Sequence, residues 1–193
     1  MKYQDSANLL YKVKEDIFGN PGLDASNLKI LCEEISQRFS TFYFKFKGGI
    51  DNKFCSLFFA TAGMKEEYKH NYNLLILDTT FGTNRFKMPL MVESLVNNMG
   101  QTVICFFALI SEETTLQFQW VFDCFMECFL VPPINIITDE CRSFQSAIKI
   151  KFPDSEHFLC SWHKTNNIIK QLSHKGCYRK IKGKLYSNSF FNI

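Results

Sequence analysis

The fold is decided by two short apolar runs that each end in an acid, Leu74-Leu75-Ile76-Leu77-Asp78 and Ile134-Asn135-Ile136-Ile137-Thr138-Asp139. Apolar runs of roughly four to eight residues are typical of strands that are covered on both faces of a sheet. A carboxylate directly after such a strand is held in direction by the sheet behind it. The sequence therefore predicts two central strands, each followed by a fixed acid.

Further strands and helices are predicted around these two runs. Strands at Lys87 to Asn97 and Thr102 to Ile110 are separated by a short turn, so they should be antiparallel neighbours. Residues 114–117 have the form of a capping box, and an apolar stripe at helical spacing then runs from Phe118 to Phe129. The remaining elements are a helix through Phe144 that ends near Pro153, a strand at His157 to Cys160 and a helix from about Lys164.

The order strand, strand, strand, helix, strand, helix, strand, helix indicates an α/β fold. It is the order of the ribonuclease H-like fold, in which a three-strand antiparallel meander continues into parallel strands with flanking helices. Asp78 and Asp139 would then lie on the first and fourth strands, which are neighbours in that fold. Residues 72–172 are predicted to form this core.

Three other segments complete the predicted organisation. Residues 1–40 carry two apolar stripes at helical spacing and should form two helices. Residues 41–62 hold two alternating aromatic runs around Gly48-Gly49, which predicts a β-hairpin leading into the core. Residues 173–193 form a basic tail.

Composition limits the class of protein. With 193 residues, of which 46% are hydrophobic, the chain can bury a sizeable core. No apolar run approaches the roughly 20 residues that span a bilayer, and the charged N-terminus has no signal-peptide pattern. Eight cysteines without a framework spacing suit free thiols. We expect a nuclear or cytoplasmic protein that is neither secreted nor bound to a membrane.

The acids point to phosphodiester chemistry. Two divalent ions about 3.5–4 Å apart can activate a nucleophile and stabilise a leaving oxygen. Hard ions such as Mg²⁺ or Mn²⁺ prefer carboxylate oxygens, which Asp78 and Asp139 offer. The plain alternative is that each aspartate only begins a loop or caps the next element. A small-molecule-binding α/β domain is disfavoured, because no glycine-rich phosphate loop follows either strand.

Several motifs over residues 40–172 resemble the transposases of Mutator-like elements (MULE), including the host proteins of the far-red-impaired-response type. The resemblance is carried, in the family's order, by residues 74–90 (LLILDTTFGTNRFKMPL), 107–113 (FALISEE), 118–122 (FQWVF), 136–139 (IITD), and 152–163, which end in HFLCSWH. It implies a DDE transposase domain that cleaves DNA and transfers strands with Mg²⁺ or Mn²⁺. Asp78 and Asp139 would be its first two acids.

The resemblance also implies what this sequence lacks. The family's third acid, a glutamate, lies on a helix well downstream of the Cys-x-x-His motif, and no Asp or Glu follows Glu156. We therefore expect a domain truncated at its C-terminus and inactive as an isolated chain, so its status as an enzyme stays open. The alternative is a transposase-derived protein that binds DNA or regulates without catalysis.

Cys160 and His163 form the Cys-x-x-His motif, which can supply two of four zinc ligands. Cys124 and Cys128 could complete a zinc site, but they also lie in an apolar stripe, so zinc is not expected. Near the carboxylates, Cys160 and His163 could orient substrate, or they could simply form a structural turn. His157 has no partner pattern and is expected at the surface or in a loop.

The net positive charge of the chain lies after residue 156, where seven Lys and Arg residues occur without any Asp or Glu. DNA, either transposon ends or host DNA, is the expected partner of this region, although such charges are more often a solvated surface. Self-association through an incomplete sheet edge is a further expectation. The candidate DNA contacts are Lys164, Lys170, Arg179 and Lys180.

Overall fold

The acid-terminated run at residues 74–78 lies in the middle of a mixed sheet. The computed structural model describes residues 25–48, 54–80, 84, 86–174, 178–181 and 184–187. Within these residues eight strands form one sheet, in the order β1-β2-β6-β5-β3-β7-β8, with the short β4 paired to β5. The strands are β1 (Tyr43–Gly48), β2 (Phe54–Ala60), β3 (Leu74–Ile76), β4 (Thr79–Thr80), β5 (Leu90–Val96), β6 (Thr102–Leu109), β7 (Asn135–Thr138) and β8 (Glu156–Leu159).

The sheet changes direction at its centre. Strands β1, β2, β6, β5 and β3 pair antiparallel in succession, whereas β3 with β7 and β7 with β8 pair parallel. Parallel neighbours need a crossover connection, which is commonly a helix. The chain supplies one before β7 and another before β8, so the carboxyl ends of β3, β7 and β8 meet at one edge of the sheet.

Five helices accompany the strands in the described part of the chain. Helix α3 (Thr115–Phe129) packs over the sheet, with Phe106 of β6 lying 5.6 Å from Phe125 between ring centroids. Helix α4 (Arg142–Lys151) packs against α3 through the stacked pair Phe118 and Phe144, at 3.9 Å. The helices are α1 (Ala25–Arg38), α2 (Ala62–Asn71), α3 (Thr115–Phe129), α4 (Arg142–Lys151) and α5 (Ser161–His174).

The two faces of the sheet are distinguished by alternate aromatic residues. Phe58 and Phe106 stack at 4.9 Å on the face that α3 covers, and both are fully buried. Their chain neighbours Phe59 and Phe107 stack at 5.1 Å and are half-buried. Because successive side chains of a strand point to opposite faces, the second pair lies on the other side of the sheet.

The α/β class predicted from the sequence is confirmed, with a mixed sheet and helices. The predicted hairpin at residues 41–62 forms as β1 and β2, and it joins the main sheet through β6. The second predicted N-terminal helix is α1, while the first lies outside the described residues. No helix in the described part of the chain is both long and apolar enough to cross a membrane.

Some elements differ from the prediction. Helix α2, which carries few apolar residues, was not predicted, and neither was the short strand β4. Helix α5 begins at Ser161 rather than near Lys164. The basic tail, for which no regular structure was expected, contains the antiparallel strands β9 (Tyr178–Ile181) and β10 (Lys184–Ser187).

The capping box predicted at residues 114–117 forms only in part. The Thr114 hydroxyl accepts the Gln117 backbone N–H, as such a box requires. The Gln117 side chain turns away instead and enters a buried network. Its amide oxygen accepts from Ser56 Oγ at 3.0 Å and Lys47 Nζ at 3.2 Å, and its amide nitrogen donates to Ser111 Oγ at 2.9 Å.

This network yields a test of the packing between α3 and the hairpin. Gln117→Ala is expected to lower the free energy of unfolding by about 1–3 kcal/mol, because the buried Ser56 hydroxyl loses its amide acceptor. Urea unfolding measures the change. Gln119→Ala, at a half-buried position of the same helix, is the control and should change stability by less than about 0.5 kcal/mol. Equal effects of the two changes would contradict a stabilising role for the network.

Candidate metal centre

Asp78 and Asp139 occupy equivalent positions on neighbouring strands. Strands β3 and β7 pair Ile76 with Ile137, and the Leu77 N–H donates to the Ile137 carbonyl at 2.9 Å. Two residues beyond the Ile76–Ile137 pair, the same register places Asp78 beside Asp139. Neighbouring strands are about 4.8 Å apart. The two carboxylates therefore emerge from the same edge and the same face of the sheet.

Each of these carboxylates is fixed by a backbone N–H close to it in sequence. Asp78 Oδ1 accepts from the Thr79 N–H at 2.9 Å, and Asp139 Oδ1 accepts from the Cys141 N–H at 3.0 Å. Among the described residues, no hydrogen bond reaches Oδ2 of either aspartate. Both side chains are half-buried. Each aspartate is thus oriented through one oxygen and keeps the other for a ligand.

A third carboxyl, which was not predicted, lies next to this pair. Glu93 of β5 is fully buried, and its Oε2 accepts the backbone N–H of Asp78 at 2.9 Å. Its second oxygen, Oε1, has no hydrogen-bond partner among the described residues. Burial raises the pKa of Glu93 well above its usual range, and the charges of Asp78 and Asp139 add to this effect. Glu93 therefore belongs to the same local environment as both aspartates.

A fourth acid approaches from the loop between β6 and α3. The Thr79 hydroxyl donates to Glu113 Oε1, which ties this loop to the residue that follows Asp78. Neither Glu93 nor Glu113 was predicted from the sequence as part of this site. For Glu93 a signal exists: Met91, Glu93 and Leu95 alternate on the inward face of an apolar strand, where an acid is out of place.

Cys160 lies in line with the aspartates. Strands β7 and β8 pair Thr138 with Leu159, and the Cys160 N–H donates to the Thr138 carbonyl at 2.6 Å. One residue further, Cys160 comes next to Asp139. His163 follows in the first turn of α5, where its ring contacts Trp162 edge to face and its Nδ1 lacks a hydrogen-bond partner among the described residues.

The remaining residues singled out in the sequence lie in different settings. Cys124 and Cys128 point into the core from α3, where burial raises the pKa of each thiol to about 12. Lys164 and Lys170 are exposed on α5. Arg179 and Lys180 lie on β9, and their side chains are outside the described residues.

The expectation for His157 was wrong. His157 is half-buried in β8, and its Nε2 shares a hydrogen bond of 2.8 Å with the Thr138 hydroxyl, one residue before Asp139. The Thr138 hydroxyl also lies 2.8 Å from the Asp139 carbonyl. Burial, followed by the charge of Lys149, lowers the pKa of this histidine below its usual 6.5.

The donor set suits a hard divalent ion. Within the described residues no cluster of three or more His, Cys, Asp or Glu side chains could hold a metal ion as they stand. Mg²⁺, however, keeps several waters and is usually bound by one or two carboxylates together with substrate phosphates. Asp78 and Asp139 fit that requirement with oxygen ligands from two adjacent strands.

A groove elsewhere on the molecule is separate from this centre. It has a volume of about 430 Å³ and lies between α2 and α3, lined by Lys65, Tyr68, Lys69, Tyr72 and Phe129 among others. None of the acids described above lines it. The sheet edge, rather than this groove, therefore carries the candidate chemistry.

The buried position of His157 predicts a pH dependence of stability. Above pH 6.5 the ring is neutral in both the folded and the unfolded chain. As the pH falls below 6.5 the unfolded chain takes up the proton first, so folding weakens until the pH passes below the lowered folded pKa.

His157→Gln removes this titration and keeps a hydrogen-bonding group for Thr138. We expect the urea midpoint to fall between pH 7.5 and pH 5.5 by less in this variant than in the parent chain. Parallel unfolding curves at the two pH values provide the comparison. If the urea midpoint of the variant falls as much as that of the parent or more, the pKa of His157 is not lowered in the folded state.

Comparison with known proteins relates this geometry to a family. Residues 74–167 match the MULE transposase domain. The chain is 29% identical over 134 residues to Protein FAR1-RELATED SEQUENCE 5 of Arabidopsis thaliana, covering 69% of this chain and 17% of that protein. It is 24% identical over 157 residues to Protein FAR-RED IMPAIRED RESPONSE 1 of the same plant, covering 79% of this chain and 19% of that protein.

A third relative is of a different description. The PKS-NRPS hybrid synthetase cheA of Chaetomium globosum is 31% identical over 129 residues, which are 65% of this chain and 3% of that protein. The chain thus spans less than a fifth of the length of each of these three relatives. The resemblance read from the motifs is confirmed, both for the MULE domain and for the relatives of far-red-impaired-response type. Residues 74–167, just under half of this chain, thus match the MULE transposase domain family.

Proposed function

We propose that this domain is a DDE-type transposase core with a ribonuclease H-like fold, in which Asp78 and Asp139 bind Mg²⁺ or Mn²⁺. The observation that carries the proposal is the equal register of the two aspartates at the ends of adjacent parallel strands. The spatial order of the core strands, β6-β5-β3-β7-β8, supports it. It places the third, second, first, fourth and fifth strands of the core side by side.

The chemistry proposed for the complete protein is cleavage and strand transfer of DNA phosphodiesters. A bound divalent ion would lower the pKa of a water and neutralise charge on a phosphate. The residues of this chain would hold and orient the ion. Asp78 and Asp139 offer it their Oδ2 atoms, and the strands behind them fix the spacing of the two carboxylates. We propose that Cys160, at the next strand end, and His163, in the first turn of α5, contact the substrate backbone.

DNA is the proposed partner, either transposon ends or host DNA, and the nucleus is the corresponding location. Lys164 and Lys170 are exposed on α5, the helix that begins directly after Cys160. Phosphate contacts from such residues would position DNA without reading its sequence. Strand β8, the last in the order of the sheet, is the edge through which a second copy could pair.

A second candidate is a non-catalytic DNA-binding or regulatory protein that keeps the transposase sheet. The observation in its favour is that the described residues bring no third ligand to Asp78 and Asp139. The two candidates differ in their relation to metal. A regulator would bind DNA equally well with and without Mg²⁺, whereas a catalytic core would not.

Replacement of either aspartate tests the proposed centre. Asp78→Asn and Asp139→Asn should each weaken Mn²⁺ binding by at least about tenfold, because each removes one of two charged ligands. Electron paramagnetic resonance of free Mn²⁺ measures the affinity directly. Asp123→Asn is the matched control, because Asp123 is a half-exposed aspartate of α3 that pairs with Lys151 of α4. The Mn²⁺ affinity of this variant should equal that of the parent chain.

Two results would count against the centre. If the parent chain does not bind Mn²⁺, the pair is not a metal site. If Asp123→Asn weakens binding as much as Asp78→Asn, the ion is attracted by overall charge rather than held at the sheet edge. In either case the non-catalytic candidate becomes the better explanation.

A further inference from the structure

Glu93 sits where the hydrogen-bond ladder between β3 and β5 is interrupted. Strand β3 ends at Ile76 and β4 begins at Thr79, and both pair with β5 in one continuous register. In that register Asp78 falls opposite Val92. Its N–H does not donate to the β5 backbone; it donates to the side chain of Glu93. A carboxyl oxygen thus takes the place that a strand carbonyl would normally occupy.

The pairing of the strand that carries Glu93 with its neighbour β6 is also irregular at this residue. The pairing of β5 with β6 shifts between Glu93 and Ser94, which leaves Cys105 of β6 as an extra residue. Such bulges bend a strand locally and often re-aim a side chain next to an active site. Here the bulge lies beside the one side chain that contacts the Asp78 backbone from β5.

The environment of Glu93 is otherwise apolar. By register it faces Leu77, and its neighbours on the same face of β5 are Met91 and Leu95, all of them buried. Its Oε1 is buried without a hydrogen-bond partner in the described residues. A leucine would satisfy the packing of this position, so packing does not account for the carboxyl.

We propose that Glu93 is a positioning residue of the metal centre, which holds the Asp78 backbone and thereby directs the Asp78 carboxylate toward the ion. This inference rests on the proposed function, because it concerns the same site. The hydrogen bond to Glu93 restrains the peptide between Leu77 and Asp78, while the bond from Thr79 to Asp78 Oδ1 fixes the side chain. Together they leave Oδ2 as the oxygen for the ion.

Two substitutions separate the hydrogen bond from the bulk of the side chain. Glu93→Gln keeps a side-chain oxygen that can accept the Asp78 N–H, whereas Glu93→Leu keeps the volume and removes the acceptor. Leu95→Ala is the control for general destabilisation, because Leu95 is buried on the same face of the same strand. Asp78→Asn reports on the metal site itself.

The full chain would be titrated with Mn²⁺, and the Asp78 amide proton would be followed by ¹⁵N-resolved NMR without metal. We expect Glu93→Leu to weaken Mn²⁺ binding by about tenfold or more, as loss of an orienting partner does at other metal sites. The Asp78 amide should shift upfield and exchange faster in this variant. Glu93→Gln should stay close to the parent in both measurements, and Leu95→Ala should lower the thermal midpoint without changing Mn²⁺ affinity.

The possible failures are distinguishable. If the parent chain does not bind Mn²⁺, or if Asp78→Asn binds it as tightly as the parent does, the metal site does not involve Asp78. The proposed function then fails, and so does the role of Glu93. If the site exists but Glu93→Leu binds Mn²⁺ as the parent does, only the positioning role is overturned. The positioning role is also overturned if Glu93→Gln binds Mn²⁺ as weakly as Glu93→Leu does. It is overturned as well if Leu95→Ala weakens Mn²⁺ binding as much as Glu93→Leu does.

Discussion

The parallel register between β3 and β7 is the constraint on which the rest of the site depends. The Leu77 N–H to Ile137 carbonyl bond extends that register up to the two aspartates. Side chains alternate along a strand, so a slip of one residue would place Asp78 and Asp139 on opposite faces. Such a slip would also turn either Leu75 or Ile136, both fully buried, away from the core, depending on which strand moved. The core thus enforces the alignment of the acids.

Glu93 shows what that alignment requires of the surrounding sheet. A buried polar atom without a partner costs about 1–3 kcal/mol, and Glu93 Oε1 is such an atom within the described residues. Replacing buried polar groups by apolar ones of the same shape can be neutral or stabilising. A protein that used this sheet merely as a scaffold would therefore be better served by an apolar residue here. The carboxyl is explained if its hydrogen bond to the Asp78 backbone serves the site.

Local pattern was sufficient to predict most of the central strands and their acids. The runs that end at Asp78 and Asp139 are mainly apolar, and the stripe from Phe118 to Phe129 has a clear helical period, so each element is specified by its own residues. Helix α2 was missed because its stability comes from the Thr61 cap and a few buried contacts rather than from a strong stripe.

Residues that act across the sheet were harder to predict. Glu93 and Gln117 lie within segments whose strand or helix was correctly identified, yet their partners are distant in sequence. Gln117 reaches Ser56, and Glu93 reaches Asp78, only because the strand order brings them together. The His157 contact with Thr138 likewise depends on the pairing of β7 with β8. Sequence periodicity specifies faces, whereas these contacts depend on topology.

The small number of protein ligands bears on how such a centre would work. Two carboxylates leave most positions around Mg²⁺ to water or to phosphate oxygens. An ion held in this way gains ligands when DNA is present, so metal and DNA must raise each other's affinity by the same factor. Lys164 and Lys170 follow the strand end that carries Cys160, so the helix of the proposed DNA contacts begins at the sheet edge where the acids lie. A sheet kept solely as a DNA-binding scaffold has no reason to show that coupling, which makes reciprocity the physical signature that separates chemistry from binding.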